Sequence, residues 1–584
     1  MTDQDLDGSH IKGLGINLFQ SEWPSLTRVP GFIGFMNTPI LKARKGAQER
    51  VFYNEGEFET WKQTGAAGGG TVDASTWNVK YYKGLGTSTA REFREYFEHK
   101  KIVDFEYTGV PSDDAIDLVF NKKRADDRKD WLSTYNRADH LDTSNQHVSY
   151  EDFMTREMKH FSVYDNQRSI ANGMDGLKIS LRKILFAAFK KGGLKTEIKV
   201  AQFSGYVSEH SGYHHGEASL NAAIVGMAQN FVGSNNINLF EPNGQFGTRL
   251  SGGKDSASER YIFTQLNAVT RLIYRAEDDA ILEYLDDDGQ LVEPTFYAPV
   301  VPMILINGTK GIGTGFSTDI MCHNPMQVMD YIRAMLTNVP QSERGKIEPY
   351  YRGFGGSITP IVGTTTTTAA TVKYLVRGVH SVNADKKQVR VTELPVGYWT
   401  EEFKKHLEAL IEAGAIKDYV DMSTDTVVDF TVTFPAAADL GSAAFSGIVD
   451  HGCCTAVEKL LKLYTTESTS NMHLFDSKDQ LRKYANVEDI VHDYYETRLA
   501  LYDKRKSHQL AALSAELRLL SNKARYIQEV LDGSIDLRRK RGDELVSMLR
   551  DKGYDALAPN SKDGDDAQAD SVLSSYKYLL KLPM

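Results

Sequence analysis

Apolar positions along this chain change period several times, and each change predicts an element. Ile11 to Phe19 repeats at helical spacing, Trp77 to Tyr82 alternates as a strand does, and Ala90 to His99 reads as a helix. Between them, Thr64 to Gly70 (TGAAGGG) reads as a surface loop. Residues 106–150 are polar and charged, a connector with helical pieces, and 151–270 are rich in helical patterns. In 178–199, Leu181, Ile184, Leu185 and Phe189 form one apolar face. Residues 271–485 mix strands and helices, with Thr364 to Thr368 as a low-complexity loop tip. From 486 to 532 the pattern predicts one long helix. Its Leu510, Leu513, Leu517, Leu520, Ala524, Ile527 and Leu531 step by threes and fours, the seam of a coiled coil. Residues 555–570 read as an acidic linker.

The 584 residues, 41% hydrophobic and 25% charged, are enough for several globular domains and exclude a disordered or collagen-like chain. The longest apolar stretches, such as Ala298 to Ile306, are far short of a membrane span, and no secretory signal opens the chain. Cys322, Cys453 and Cys454 lack zinc-ligand spacing and fit a reducing compartment. The net charge of -10 argues mildly against a polyanionic partner. Its distribution is uneven, however: Lys178, Arg182, Lys183, Lys190, Lys191, Lys195 and Lys199 face a single acid, Glu197. Such a run is a solvated helix face or a phosphate-binding patch, and its imbalance favours the patch.

Four short motifs could carry chemistry. Asp3, Asp5 and Asp7 alternate in DQDLDG; they can converge on Mg²⁺, open a calcium loop, or be a solvated turn. Lys12 stands where an EF-hand needs its closing glutamate. Lys83-Gly84-Leu85-Gly86 follows a strand and precedes a helix, an arrangement that lets backbone and lysine approach an anion, although most such turns are structural. His214 and His215, in YHHGE, make more sense as donors to phosphate oxygens than as neighbouring metal ligands. Arg260-Tyr261 closes the Gly-rich loop begun by Gly252-Gly253. A guanidinium there favours phenolate attack on phosphate, but locally a structural tyrosine is the simpler reading.

Taken together, the blocks MTDQDLDGSHIKGL, VKYYKGLGTSTAREF, RSIANGMDGLK, SGYHHGEASL, AQNFVGSNN, GQFGTRLSGGKDSASERYIFT, PMILINGTKGIGTGFS and ARYIQEVLDG resemble eukaryotic-type DNA topoisomerase II, a type IIA enzyme, over nearly the whole chain. The resemblance implies a multidomain α/β and α+β chain. Its parts would be a partial TOPRIM α/β domain (1–105), a connector (106–150), a winged-helix domain (151–270), a mixed tower domain (271–485) and a long coiled-coil arm (486–584). It implies a staggered double-strand break made through a 5′-phosphotyrosyl link, for passage of a second duplex. Tyr261 would be the nucleophile and Arg260 the transition-state stabiliser, with His214, His215 and Arg182 at the scissile phosphate. Asp3, Asp5 and Asp7 would hold Mg²⁺. Lys83, Lys122, Lys123, Lys178, Tyr213 and Ser219 would contact DNA, and Ile312 would wedge between base pairs. The implied partners are double-stranded DNA and a second copy of the chain, with no membrane; the implied location is the nucleus or a viral replication compartment.

Three departures qualify that reading. Ile179-Ser180-Leu181 replaces the family's Pro-Gly-Gln after DGLK, and Gly355 stands where relatives carry a DNA-contacting lysine. The family's EGDSA strand, whose glutamate completes the metal site, does not occur, nor does the ATPase that would use ATP in the full-length enzyme. The expectation is therefore a piece of a longer reading frame, cut at both ends, with Met1 to Asp7 frayed and magnesium bound weakly. The alternatives are a non-catalytic DNA-binding fragment or a TOPRIM-type double-strand-break nuclease, which a tower and arm argue against.

Overall fold

The computed structural model describes residues 2–64, 72, 76–82, 85–143, 145–287, 289–361, 372–536, 542–556, 575–580 and 582. Thr364 to Thr368, the glycines of the Thr64 to Gly70 loop and most of the acidic linker lie outside the described residues. The chain divides into two units: Met1–Arg275 with Leu282–Tyr495, and Ala276–Ile281 with Glu496–Met584.

The first unit begins with the helix Leu6–Glu22, longer than the periodicity of Ile11 to Phe19 required. Asp5 caps it by accepting from Gly8 N at 2.7 Å, so the segment is held from its fifth residue. Gln4 also donates to Met36 O at 3.0 Å, and the expected fraying up to Asp7 is not what the structure shows. Ile16 packs into a core with Val103, Phe105, Ile116, Val148, Tyr150, Phe153 and Met158. Residues 106–150, with the expected helical pieces, pack into this core as well. They supply the helices Val110–Phe120 and Ala125–Ser133 and the strand His147–Ser149, which pairs parallel with Ile102–Glu106. Their polar composition misleads because only Ala115, Ile116, Val119 and a few others face inward. The expected strand and helix around 77–99 are Asn78–Tyr81 and Ala90–Glu98, the latter opened by a Thr89–Glu92 capping box.

A second core joins the helices Ile179–Lys190, Val200–Ser211 and Glu217–Ala228 through Ile184, Leu185, Phe203, Leu220 and Ile224. The replaced turn leaves this start intact: Lys178 is extended at the cap position and the helix begins at Ile179. The strand Ile198–Lys199 pairs antiparallel with Phe263–Thr264. Ile273, Tyr274, Tyr297, Met303 and Ile306 belong to the same core, so the boundary expected at 270 falls inside one packed unit. Further along, the strands Val379–Asn383, Gln388–Glu393, Phe430–Thr433 and Asp418–Asp421 form one antiparallel sheet in that spatial order. The helix Thr400–Glu412 covers it with Phe403 and Leu407.

The long helix runs Val487–Leu531, within a residue of the expectation at each end. In the second unit its Tyr526 packs with Ile535, Val546, Leu549, Tyr554, Tyr576 and Leu579. The heptad positions Leu510 to Leu531 are all exposed instead. Among the described residues no helix is long and apolar enough to cross a membrane.

Candidate functional site

One short helix, Met158–Ser169, gathers three motifs that lie far apart in sequence. Tyr164 Oη lies 2.6 Å from His215 Nε2. Asp165 accepts from Thr314 Oγ1 at 2.9 Å and Asn166 Nδ2 donates to Thr314 O at 3.1 Å. Arg168 Nη1 reaches Asp7 at 3.0 Å. Positions 164 and 168 share one face, 165 and 166 the next, so consecutive side chains hold different partners. Immediately before it, Glu157 closes a π-helical turn and accepts from Ser9 Oγ at 2.6 Å.

The acidic segment is divided by the start of its own helix. Asp5 uses one oxygen on the Gly8 cap, while Asp7, in the first helical turn, faces Arg168 and, at 3.9 Å, His215 Nδ1. Burial raises the Asp5 pKa; the Gly8 N–H opposes this, and Asp3 and Asp7 raise it further. Asp3 is near enough to be felt, yet among the described residues no three acidic, cysteine or histidine side chains form a cation cluster. Asp3 and Asp7 both lie close enough to act on Asp5, and three carboxylates with further oxygen ligands from outside the segment suit a hard divalent ion.

The histidine pair is also divided. His214 is exposed, whereas His215 is half-buried between Tyr164, Asp7 and the edge of the Tyr213 ring. Burial and the Arg168 charge lower the His215 pKa to about 4. Tyr213 itself packs into the core, 7% exposed, and Ser219 is exposed in the next helix.

The basic patch is smaller than its seven charges suggested. Arg182 is buried, with Nε and Nη2 on Asp175 at 2.7 and 3.2 Å and Nη2 also on Leu177 O. Burial works against its charge, but Asp175 outweighs it and the pKa stands above the usual arginine value. The resemblance puts Arg182 at the scissile phosphate; here its guanidinium is paired with Asp175 in the interior. Lys183 is drawn to Glu293 at 2.8 Å, and Lys178 donates to Lys310 O at 2.8 Å. Lys190, Lys191, Lys195 and Lys199 remain on the exposed side.

Arg260 and Tyr261 sit at the top of a turn closed by Tyr261 N donating to Ser258 O. Tyr261 is 73% exposed, while the next residue, Ile262, is 2% exposed in the core and its carbonyl accepts from Val200 N. The loop behind it is fastened by Asp255, which accepts from Thr248 N and Oγ1, and by the buried Arg249–Glu393 pair. An exposed hydroxyl on a hydrogen-bonded turn beside an exposed guanidinium is placed where an incoming phosphate could meet both.

Ile312, 84% exposed, ends the strand Thr309–Ile312, which pairs with Ser317–Ile320. Gly311 and Gly313 are required there, since a methyl group on either would run into Ser169 O or Asn166 Oδ1. Lys122 and Lys123 are exposed in a short 3-10 turn, and Lys83 lies outside the described residues. Reading the sequence missed Tyr164, Asp165, Arg168 and Asp175. The i, i+4 spacing of Tyr164 and Arg168 was the one local signal available.

A family model for the A-type subunit of DNA gyrase/topoisomerase IV matches residues 168–584, and one described as the C-terminal associated domain of TOPRIM matches 36–166. The chain belongs to the DNA topoisomerase II family. Among relatives of that family, DNA topoisomerase 2 of Arabidopsis thaliana is 44% identical over 98% of this chain and 38% of its own length. That of Plasmodium falciparum (isolate K1 / Thailand) is 40% identical over 100% of this chain and 41% of its own length. Human DNA topoisomerase 2-beta is 42% identical over 95% and 34% respectively. A crystal structure of the Plasmodium falciparum topoisomerase II DNA-binding, cleavage and re-ligation domain matches with a TM-score of 0.78 at 40% identity, covering 100% of this chain and 78% of that one. The chain thus spans less than half the length of the curated topoisomerases it matches.

Proposed function

We propose that this chain is the breakage–reunion core of an ATP-dependent type II topoisomerase. Tyr261 Oη attacks a DNA phosphorus, the P–O3′ bond breaks, and the phenolic proton is lost as the 3′ oxygen gains one; resealing is the reverse. Arg260 stabilises the charge of the transition state. Exposed His214 contacts the phosphate, and Lys122, Lys123, Ser219 and Lys190 to Lys199 track the backbone. Ile312 unstacks a base step. In this reading 151–270 act as a winged-helix domain, the N-terminal region as part of a TOPRIM domain, 271–485 as a tower and 486–584 as a coiled-coil arm. Two copies act together, because each supplies one Tyr261 and a duplex has two strands; they do so in the nucleus or a viral replication compartment. Magnesium would be held weakly by Asp3, Asp5 and Asp7 with ligands from outside the segment, and would supply charge neutralisation there.

The observation that carries the reading is Tyr261, 73% exposed beside exposed Arg260 on a turn anchored by buried Ile262. The test is a denaturing gel for protein-linked DNA. Tyr261→Phe should abolish the adduct and leave DNA affinity within about twofold, since the ring is kept; adducts that persist in this variant would sink the assignment.

A further inference from the structure

Both ring nitrogens of His215 face protein groups. Nδ1 looks toward the Asp7 carboxylate at 3.9 Å, and Nε2 lies 2.6 Å from Tyr164 Oη. At 2.6 Å the Tyr164 hydroxyl can donate to Nε2, an arrangement that leaves the ring proton on Nδ1, the nitrogen on the Asp7 side. Tyr164 is itself held: the Arg168 guanidinium lies 5.3 Å from its ring centre, and the same guanidinium grips Asp7 at 3.0 Å. On the other side the Tyr213 ring meets His215 edge-on at 5.4 Å. A closed circuit, Tyr164–His215–Asp7–Arg168, therefore joins the N-terminal acidic segment to the turn that presents His214.

We propose that Tyr164 is a positioning residue of the cleavage site: its hydroxyl fixes the tautomer and ring orientation of His215, and through it the register between the Asp7 segment and the Tyr213–Ser219 turn. The proposal rests on the DNA-cleavage reading of the preceding subsection. Tyr164 touches neither the reacting atoms nor the phosphate. Without the hydroxyl, Nε2 loses the Tyr164 donor in a half-buried place, and the ring is at liberty to turn or take the other tautomer. Small displacements of this kind act on the chemical step more than on binding.

The test uses Tyr164→Phe in the full chain, which keeps the ring and the packing. Nitrogen-15 spectra of histidine-labelled protein, with the His215 signal identified by its loss in His215→Gln, should show the Nδ1–H pattern in the unsubstituted chain and its loss or averaging in Tyr164→Phe. Single-turnover adduct formation at saturating DNA should fall about tenfold, while the Kd for a duplex should change less than about threefold. An unchanged His215 spectrum would overturn the proposal, as would a changed spectrum with an unchanged cleavage rate. A merely structural role would lower the melting temperature and DNA affinity together and leave the rate at saturation alone, which also overturns it. The spectrum is read without DNA and decides the His215–Tyr164 link by itself. Absence of any Tyr261-dependent adduct from the unsubstituted chain would instead overturn the cleavage reading, and the cleavage half of this proposal with it.

Discussion

Asp175 has no exposed surface and accepts hydrogen bonds from Arg182 Nε and Nη2, Leu177 N and Tyr297 N. Removing the guanidinium would leave a buried carboxylate without its counter-charge, a change that costs about 3–5 kcal/mol. Arg182→Met should therefore lower the unfolding free energy by about that much in a urea titration, with the salt dependence of DNA binding unaltered. A loss of one phosphate contact with normal stability would return Arg182 to the DNA surface. His323, 2% exposed, gives a pH signature. Burial lowers its pKa to about 4 from 6.5, only partly opposed by backbone carbonyls. Between these values the unfolded chain binds the proton and the folded chain does not, so stability is full above about 6.5 and falls as the pH drops toward 4. Each such histidine adds up to about 1.4 kcal/mol per pH unit. The slope of stability against pH near 5 should be shallower by that amount in His323→Asn, and equal slopes would show that this imidazole charges without cost.

Among elements, the hairpin carrying Ile312 is held through its turn while the Ile312 side chain beside that turn stays exposed. Asp165 and Asn166 hold Thr314, Lys178 holds Lys310 O, and the glycines let the backbone lie against the Met158–Ser169 helix. A rigid tip can transmit force to a base step, whose unstacking costs on the order of a few kcal/mol. Ile312→Ala should therefore reduce the bend of a doubly labelled duplex, read by energy transfer, more than it reduces affinity. Gly311→Ala should reduce both, because the added methyl displaces the whole hairpin from Ser169. An unchanged bend in both variants would make Ile312 an idle surface residue. In the second unit, Asp278 pairs with Arg498 at 2.8 Å and Arg505 at 3.2 Å, both on the long helix. The segment Ala276–Ile281 is thus tied to that helix by charge.

At the scale of the molecule, the net charge of -10 and a DNA partner are compatible because charge is sorted by place. Lys190, Lys191, Lys195 and Lys199 stay exposed, while Arg182 and Lys183 are neutralised inside by Asp175 and Glu293. Log affinity should fall with log salt, and Lys195→Ala should reduce the slope by about 0.9, the value of one phosphate contact. A salt-independent Kd would show that the patch is only a solvated face. The sequence by itself determined the family, through long motif blocks, and the elements whose signals are local. The helix Val487–Leu531, the Asn78–Tyr81 strand and the helix Ala90–Glu98 all lie where periodicity put them, because side-chain spacing is a property of adjacent residues. Residues 106–150 escaped because few of their side chains face the core and nothing local says which. The site shows the same limit more sharply. Asp7 and Arg168 are 161 positions apart, Tyr164 and His215 are 51 apart, and Lys178 and Lys310 are 132 apart. Motifs singled out Tyr261 and Arg260, but burial and pairing are set by which surfaces the folded chain brings together. Only the tertiary structure could decide that Arg182 turns inward, that Asp7 meets Arg168, and that His215 is held while His214 faces solvent.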